Sequence, residues 1–284
     1  MTTATPPIDV HVTSGSRTDT GRRRSVNEDA LLAEYPVFVV ADGMGGHDAG
    51  DRASAAVIDV FRPLVGRDDL RPEEVADAVE RAHSAVAVVA AGTSRGAGST
   101  LSGVVAVQQG GVRRWLIVNV GDSRVYRLLA ERLEQLTIDH SVAQELVDAG
   151  QLTRDQMATY EGRNVITRAI GGERSRADFW LIPIVTGERI VVCSDGLTGE
   201  LSDEALRAGL MMGGSPAQTA ESLVAQALAH GGRDNISTIV LDVVAGGISP
   251  RLEDTTGGIM NSESVTATVE VATARSRRRR TDHG

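Results

Sequence analysis

The sequence predicts an α+β fold in which antiparallel sheets are covered by helices. Three observations predict it. Short runs rich in Val, Ile and Leu follow one another mostly without an intervening helix, which disfavours a regular parallel βαβ sheet. Two long segments carry their apolar residues at helical spacing. Several of the short runs end in polar, Gly-rich sequence, as buried strands opening into loops do.

Taken in order, residues 37–40 (Val-Phe-Val-Val) read as a buried strand, and 48–61 as a helix candidate. Residues 72–91 read as a helix with Val75, Val79, Ala82, Val86 and Val89 on one face. Residues 103–107 and 114–120 read as strands, with Gly110-Gly111 between them as a hairpin turn. Residues 124–129 and 189–193 are further strands, and 141–149 a further helix candidate. Residues 216–230 form the second long helix, on which Ala220, Leu223, Val224, Ala227 and Leu228 share a face. Its ends are marked: Ser215 as N-cap, Pro216 at the first position, Gln218 placed for a capping box, and Gly231 at the stop. Residues 236–244 close the series as a strand.

Composition bounds the function. Of 284 residues, 41% are hydrophobic but only 3% aromatic, so the core must be built from Ala, Val, Leu and Ile. All 29 basic residues are Arg, and the net charge is −9. An acidic balance argues against a nucleic-acid partner, and phosphate binding would need a metal or a placed Arg. The single cysteine, Cys193, permits no internal disulfide, which fits a reducing compartment. The N-terminus lacks a signal-peptide layout, and no apolar run approaches the roughly 18 residues that span a bilayer. The expectation is a cytoplasmic monomer with no transmembrane segment.

Residues 1–8 read as a flexible leader, 9–245 as one domain, and 246–284 as a disordered tail. Six Arg against five acids give the tail net +1, leaving −10 on the 245 residues before it. The tail's Arg-rich end, 275–280, reads as solvated chain or as a tether to a membrane surface or nucleic acid.

Four acidic motifs stand at or beside the ends of apolar runs. They centre on Asp42-Gly43, Gly121-Asp122, Asp195-Gly196 and Asp234-Asn235. A single Asp-Gly is turn chemistry. Four carboxylates at buried strand ends are costly unless a multivalent cation neutralises them. Oxygen donors without a Cys or His cluster suit hard ions such as Mg²⁺ or Mn²⁺. Upstream, Arg22, Arg23 and Arg24 precede Asn27-Glu28-Asp29, a solvated charge run or a phosphate-binding fork beside two acids.

The order and form of these motifs resemble the protein phosphatase type 2C family, the metal-dependent PPM phosphatases, in its compact bacterial version. The matching stretches are 21–29, 41–54 (ADGMGGHDAGDRAS), 98–101, 119–126 (NVGDSRVY), 136–141 (LTIDHS), 164–171 (NVITRAIG), 193–197 and 232–237. The resemblance implies a four-layer αββα sandwich of two antiparallel sheets flanked by helix pairs, with a metal centre at one end. It implies that Asp42 bridges two ions, Mn²⁺ or Mg²⁺, and that the Gly43 carbonyl binds the first. Asp195 and Asp234 would bind the second. Glu28 would act through a metal-bound water with Asp29 in support, Asn235 would steady the Asp234 loop, and Arg24 would bind the substrate phosphate. Asp122 with Asp195 would make a third, weaker site, and residues 153–164 the flap beside it. The implied activity is metal-dependent hydrolysis of phosphoserine and phosphothreonine in proteins, reversing bacterial Ser/Thr kinase signalling. Phosphorylated proteins, Ser/Thr kinases among them, are the implied partners.

The sequence departs from the animal members at Met44, where they carry an acid His. His47 follows three residues on, in the bacterial GGH pattern, and reads as structural. Asp51 and Ser99 stand where Glu and Thr are common. Cys193 has Gly, not Arg, six residues later, which excludes a cysteine-phosphatase loop. His140 reads as a hydrogen-bonded structural residue or a proton shuttle, and Trp115 and Trp180 as packing residues. A catalytically dead binding module would need loss of a core acid, and Asp42, Asp195 and Asp234 are all present. A two-metal nuclease is disfavoured by the acidic core.

Overall fold

The computed structural model describes residues 10–45, 49–157, 159–172 and 176–250, with the backbone of 267–268. In chain order the elements are β1 His11–Asp19, β2 Asp29–Glu34, β3 Val37–Gly45, α1 Ala49–Phe61, a 3-10 turn Arg62–Leu64, α2 Pro72–Ala91, β4 Ala97–Ser99, β5 Leu101–Gln109, β6 Val112–Val120, β7 Arg124–Leu129 and β8 Arg132–Gln135. They continue with α3 Val142–Asp148, α4 Arg154–Met157, β9 Asp178–Pro183, β10 Arg189–Cys193, α5 Asp195–Thr198, α6 Asp203–Met211, α7 Pro216–His230, β11 Ile236–Ala245 and β12 Ala267–Thr268.

The strands form two sheets. One has the order β1-β11-β10-β7-β8; the other has β12-β9-β6-β5-β3-β2, with β4 on β3. Pairing between these strands is antiparallel throughout. The β5–β6 hairpin shows why no crossover helix is needed. Gln109 pairs with Val112, and the intervening Gly110 and Gly111 take φ of 60° and 78°, as a two-residue hairpin turn requires.

Successive residues of one strand serve different layers, because side chains alternate across a sheet. Val37, Val39 and Ala41 pack under α1 and α2, with Val57, Val75 and Val79. Phe38 and Val40 face the opposite sheet, with Trp115, Ile239 and Leu241. On β10, Ile190 and Val192 join this middle layer, whereas Val191 and Cys193 lie beneath α6 and α7 with Leu206 and Leu223. The order is helices, sheet, sheet, helices, as the family resemblance implies. Central strands buried on both faces read as continuous apolar runs, so the alternation is hidden in the sequence.

The caps act as their residue types dictate. Ser215 Oγ accepts from Gln218 N at 3.3 Å, and Gln218 Oε1 accepts from Ser215 N at 3.0 Å, so two of the orphan amides at the start of α7 are satisfied. Ser141 caps α3 through Gln144 N at 3.2 Å. Among the described residues no helix is long and apolar enough to cross a membrane. The leader (1–8), His47 with its neighbours Gly46 and Asp48, and the Arg-rich end lie outside the described residues.

Candidate metal centre

Strand ends bring the acids together. Asp42 lies near the end of β3, and the β2–β3 register sets Asp29 directly opposite it. Asp122 follows β6, Asp195 opens α5 immediately after β10, and Asp234 stands two residues before β11. The backbone of Asp42 is fixed from the side by Thr100. Asp42 N donates to Thr100 Oγ1 at 2.9 Å, and Thr100 N donates to Asp42 O at 2.8 Å.

Two glycines are required by close approach. A β-carbon on Gly43 would overlap the carbonyls of Gly50 and Glu28, and one on Gly196 would overlap the carbonyl of Asn235. Gly43 N donates to Glu28 O at 3.0 Å, and Ser54 Oγ on α1 reaches the same carbonyl at 2.6 Å. The Asp42 strand, the Glu28 segment and α1 thus close on one another at a point where only glycine fits.

Asn235 ties the N-terminal acids to the C-terminal one. Its Nδ2 donates to Thr20 O and Val26 O, both at 2.9 Å, and its Oδ1 accepts from Glu28 N at 2.9 Å. Asn235 N donates to Asp234 Oδ1 at 2.8 Å. Ser194 Oγ donates to Asp29 Oδ2 at 2.8 Å, and Arg24 Nη2 meets Asp234 Oδ2 at 2.8 Å.

Charge is the dominant feature of the cluster. Asp29, Asp42, Asp122 and Asp195 stand at intermediate exposure, yet so much protein surrounds their carboxyl groups that desolvation is the largest push on each. Burial and then the charges of Asp29, Asp195, Asp122 and Asp234 drive Asp42 well above the usual carboxylate range. Asp29 is pushed up to about 7, chiefly by burial, against the hydrogen bonds from Ser237 and Ser194. Asp122 is raised by burial and by Asp195 and Asp139, with Arg124 opposing. Asp195 is raised by burial and Asp234, with a hydrogen bond to Asp42 opposing. Asp29 Oδ1 and Asp195 Oδ1 are buried without a hydrogen-bond partner among the described residues. No three His, Cys, Asp or Glu side chains among those residues stand at finished ligating geometry. The acids are gathered and mutually destabilised, and their unsatisfied oxygens are the donor type that hard cations take.

Beneath Asp122, Arg124 Nε and Nη2 grip Asp139 at 2.9 and 2.7 Å, and Nη1 donates to Tyr126 Oη at 2.9 Å. His140 holds the turn before Asp122 from both sides. Its N donates to Gly121 O at 2.9 Å, and its Nδ1 accepts from Gly121 N at 3.2 Å. Its Nε2 stands 3.1 Å from Asp178 Oδ2 and 3.2 Å from Arg168 Nη1. Residues 153–164 hold the short helix α4 and a series of turns, apart from Ala158, which lies outside the described residues. The chain then returns against His140, with Thr167 N on His140 O at 2.8 Å.

Thr100, Ser194, Arg124 and Asp139 belong to this site and are not singled out by sequence reasoning. All four lie inside the matching stretches, but Thr100 and Ser194 meet partners, Asp42 and Asp29, that are far away in the chain. Cys193 is a fully buried strand residue whose thiol burial pushes up to about 12. Trp115 is buried, with Nε1 donating to Glu188 Oε1 at 2.8 Å.

A family model described as Protein phosphatase 2C matches residues 19–230. The chain belongs to the protein phosphatase 2C family. It is 35% identical over 236 residues to the serine/threonine protein phosphatase PstP of Mycobacterium tuberculosis, a match that covers 81% of this chain and 44% of PstP. It therefore spans under half the length of that relative. It is 31% identical over 242 residues to the serine/threonine phosphatase stp of Listeria innocua, covering 80% of this chain and 94% of that one. In structure it resembles the catalytic domain of PstP in complex with two manganese ions: TM-score 0.75 at 31% identity, covering 84% of this chain and all of that one. The αββα architecture of this protein phosphatase 2C member is that of its relatives.

Proposed function

We propose that this chain is a metal-dependent protein-serine/threonine phosphatase that hydrolyses phosphoserine and phosphothreonine in proteins. The observation that carries the reading is the uncompensated acid cluster at Asp42. Burial, and then neighbouring negative charge, pushes Asp29, Asp42, Asp122 and Asp195 toward the protonated form, and two of their oxygens are buried without a partner among the described residues. Such a group is stable as carboxylates only around a multivalent cation.

The residues fit Mn²⁺ or Mg²⁺. Asp42 would be shared by two ions, the Gly43 carbonyl would serve the first, and Asp195 and Asp234 the second. Glu28 would hold an ion through water, and Asp122 with Asp195 would serve a third, weaker site. When bound, the ions supply a water of lowered pKa near neutral pH and a positive counter-charge to the phosphoryl group.

The chain's own residues do the positioning. Arg24, about half exposed, presents a planar guanidinium that can take a phosphate in two parallel hydrogen bonds. Asn235 fixes Glu28 and the Asp234 loop relative to each other. Ser194 orients Asp29 beneath Asp42. Position 44 is Met, so the leaving serine or threonine draws its proton from somewhere other than that side chain. Ser/Thr kinases and their phosphorylated targets are the substrates this reading expects, with the protein working as a monomer in the cytoplasm.

Release of phosphate from a phosphothreonine peptide, with and without Mn²⁺, tests the reading. Activity should require the metal, and Asp42→Asn should abolish it and weaken Mn²⁺ binding by more than ~100-fold, because charge shared by two ions is lost. Metal-independent hydrolysis, or an active Asp42→Asn protein, would overturn it.

A further inference from the structure

We propose that Ser123 is a positioning residue for Asp42: with Thr100 it forms a buried hydroxyl link that ties the Asp42 peptide to the turn carrying Asp122. The role rests on the metal-dependent reading above, and it puts carboxylates assigned to neighbouring cation sites under the control of one structure. Three parts of the chain meet in the link: the end of β3, the junction of β4 and β5, and the β6–β7 turn.

The Asp42 peptide is held by a side chain where a sheet would use a carbonyl. The register that pairs Val40 with Ser102 and Gly43 with Ser99 sets Asp42 opposite Thr100. At the hydrogen-bonded positions of an antiparallel ladder, the two facing residues exchange both backbone bonds. Here Thr100 N donates to Asp42 O at 2.8 Å, but Asp42 N donates to Thr100 Oγ1 at 2.9 Å. The carbonyl of Thr100 is taken instead by Ser99 Oγ, at 2.8 Å. The position of the Asp42 amide thus follows a hydroxyl, and that hydroxyl is only as fixed as its remaining partner.

That partner is Ser123. Its Oγ lies 2.8 Å from Thr100 Oγ1, either oxygen being able to donate, and it has no other hydrogen-bond partner among the described residues. Thr100 is 1% exposed and Ser123 fully buried, so water does not compete for the bond. Two further contacts seat the turn on the same strand. Ser102 Oγ donates to Ser123 O at 2.7 Å. Gly121, at φ 104°, lies so close that a β-carbon on it would stand 2.6 Å from Thr100 Cγ2. Asp122 sits between these anchors. Whatever fixes the Asp122 turn therefore fixes the Asp42 peptide as well.

Hydrogen exchange on the metal-free full chain tests the link without any ion. Ser123→Ala, which removes one buried hydroxyl and adds no bulk, should speed exchange of the Asp42 amide by at least ~10-fold while the amides of β10 stay unchanged. Thr100→Val should speed it further, and Thr100→Ser, which keeps the oxygen, should leave it protected. Calorimetric titration with Mn²⁺ reads the consequence. Ser123→Ala should weaken binding ~10-fold, and Thr100→Val with Ser123→Ala should be no weaker than Thr100→Val alone, because the two oxygens act as one unit. An Asp42 amide that ignores Ser123→Ala would overturn the proposal, as would Mn²⁺ losses that add in the double variant. Absence of Mn²⁺ binding in the unmodified chain would count against the proposed function instead, and the metal-free exchange would still decide the link.

Discussion

Arg24 and Asp234 are joined by a 2.8 Å ion pair, although the family resemblance gives them separate partners, a phosphate and a metal ion. The pair neutralises one acid of the cluster and holds the guanidinium at its rim. Arg24→Ala is therefore expected to act mainly on substrate binding, raising KM for a phosphopeptide about 10-fold with a smaller change in kcat. Arg24→Lys should recover little of this, because a point charge does not replace a planar fork. Steady-state kinetics decide it; a loss confined to kcat would place Arg24 in the transition state instead.

Asn235 spends its whole amide on the backbone of the N-terminal segment, at Thr20, Val26 and Glu28. Asn235→Ala leaves three partly buried backbone groups without their side-chain partner and should cost about 1–3 kcal/mol in denaturant unfolding. It should also weaken Mn²⁺ binding, since Glu28 and Asp234 lose their common reference. Unaltered stability would show that water replaces the side chain.

Glu188 provides a pH dependence remote from the acid cluster. It is 1% exposed, and burial pushes its carboxyl from the ordinary 4.5 up to about 7. Between those values the unfolded chain gives up the proton while the folded chain keeps it. Stability from this group is therefore full below about pH 4.5 and falls as pH rises to about 7, by roughly 3 kcal/mol in total. Glu188→Gln does not titrate, so the stability difference between the two proteins should vary by that amount across this window and level off above it. A pH-independent difference would mean that Glu188 is ionised in the fold.

The β7–β8 hairpin carries avoidable strain. Its two loop residues, Ala130 and Glu131, have φ of 48° and 66°, a conformation that favours Asn and Gly. Ala130→Asn with Glu131→Gly should raise stability by about 1 kcal/mol and the Tm by a few degrees. Thermal unfolding measures it, and a lowered Tm would contradict the turn assignment.

Much of the fold is legible where local signals are complete. α2, α7, β7 and β10 have the bounds their sequence predicts, because caps or continuous apolar runs mark both ends. β1 is not legible: most of His11–Asp19 is exposed, and only its pairing with β11 makes it a strand. α6 escapes notice although Ser202 caps it through Ala205 N at 3.2 Å. The acids of the site are legible as motifs because each sits at a strand end. Their supports are not, since Thr100 meets Asp42, and Ser194 meets Asp29, only through the tertiary fold.

Phe38 and Val39 are neighbours in the chain, yet one packs between the sheets and the other beneath the helices. Breathing motions need not be shared between those two compartments. The α1–α2 layer can lift transiently from its sheet while Phe38 and Val40 keep the two sheets together and the hydrogen-bonded ladder around Asp42 closed. Mutations at Phe38 and Val39 would then report on different opening events, with exchange in α1 and α2 responding to the second far more than to the first.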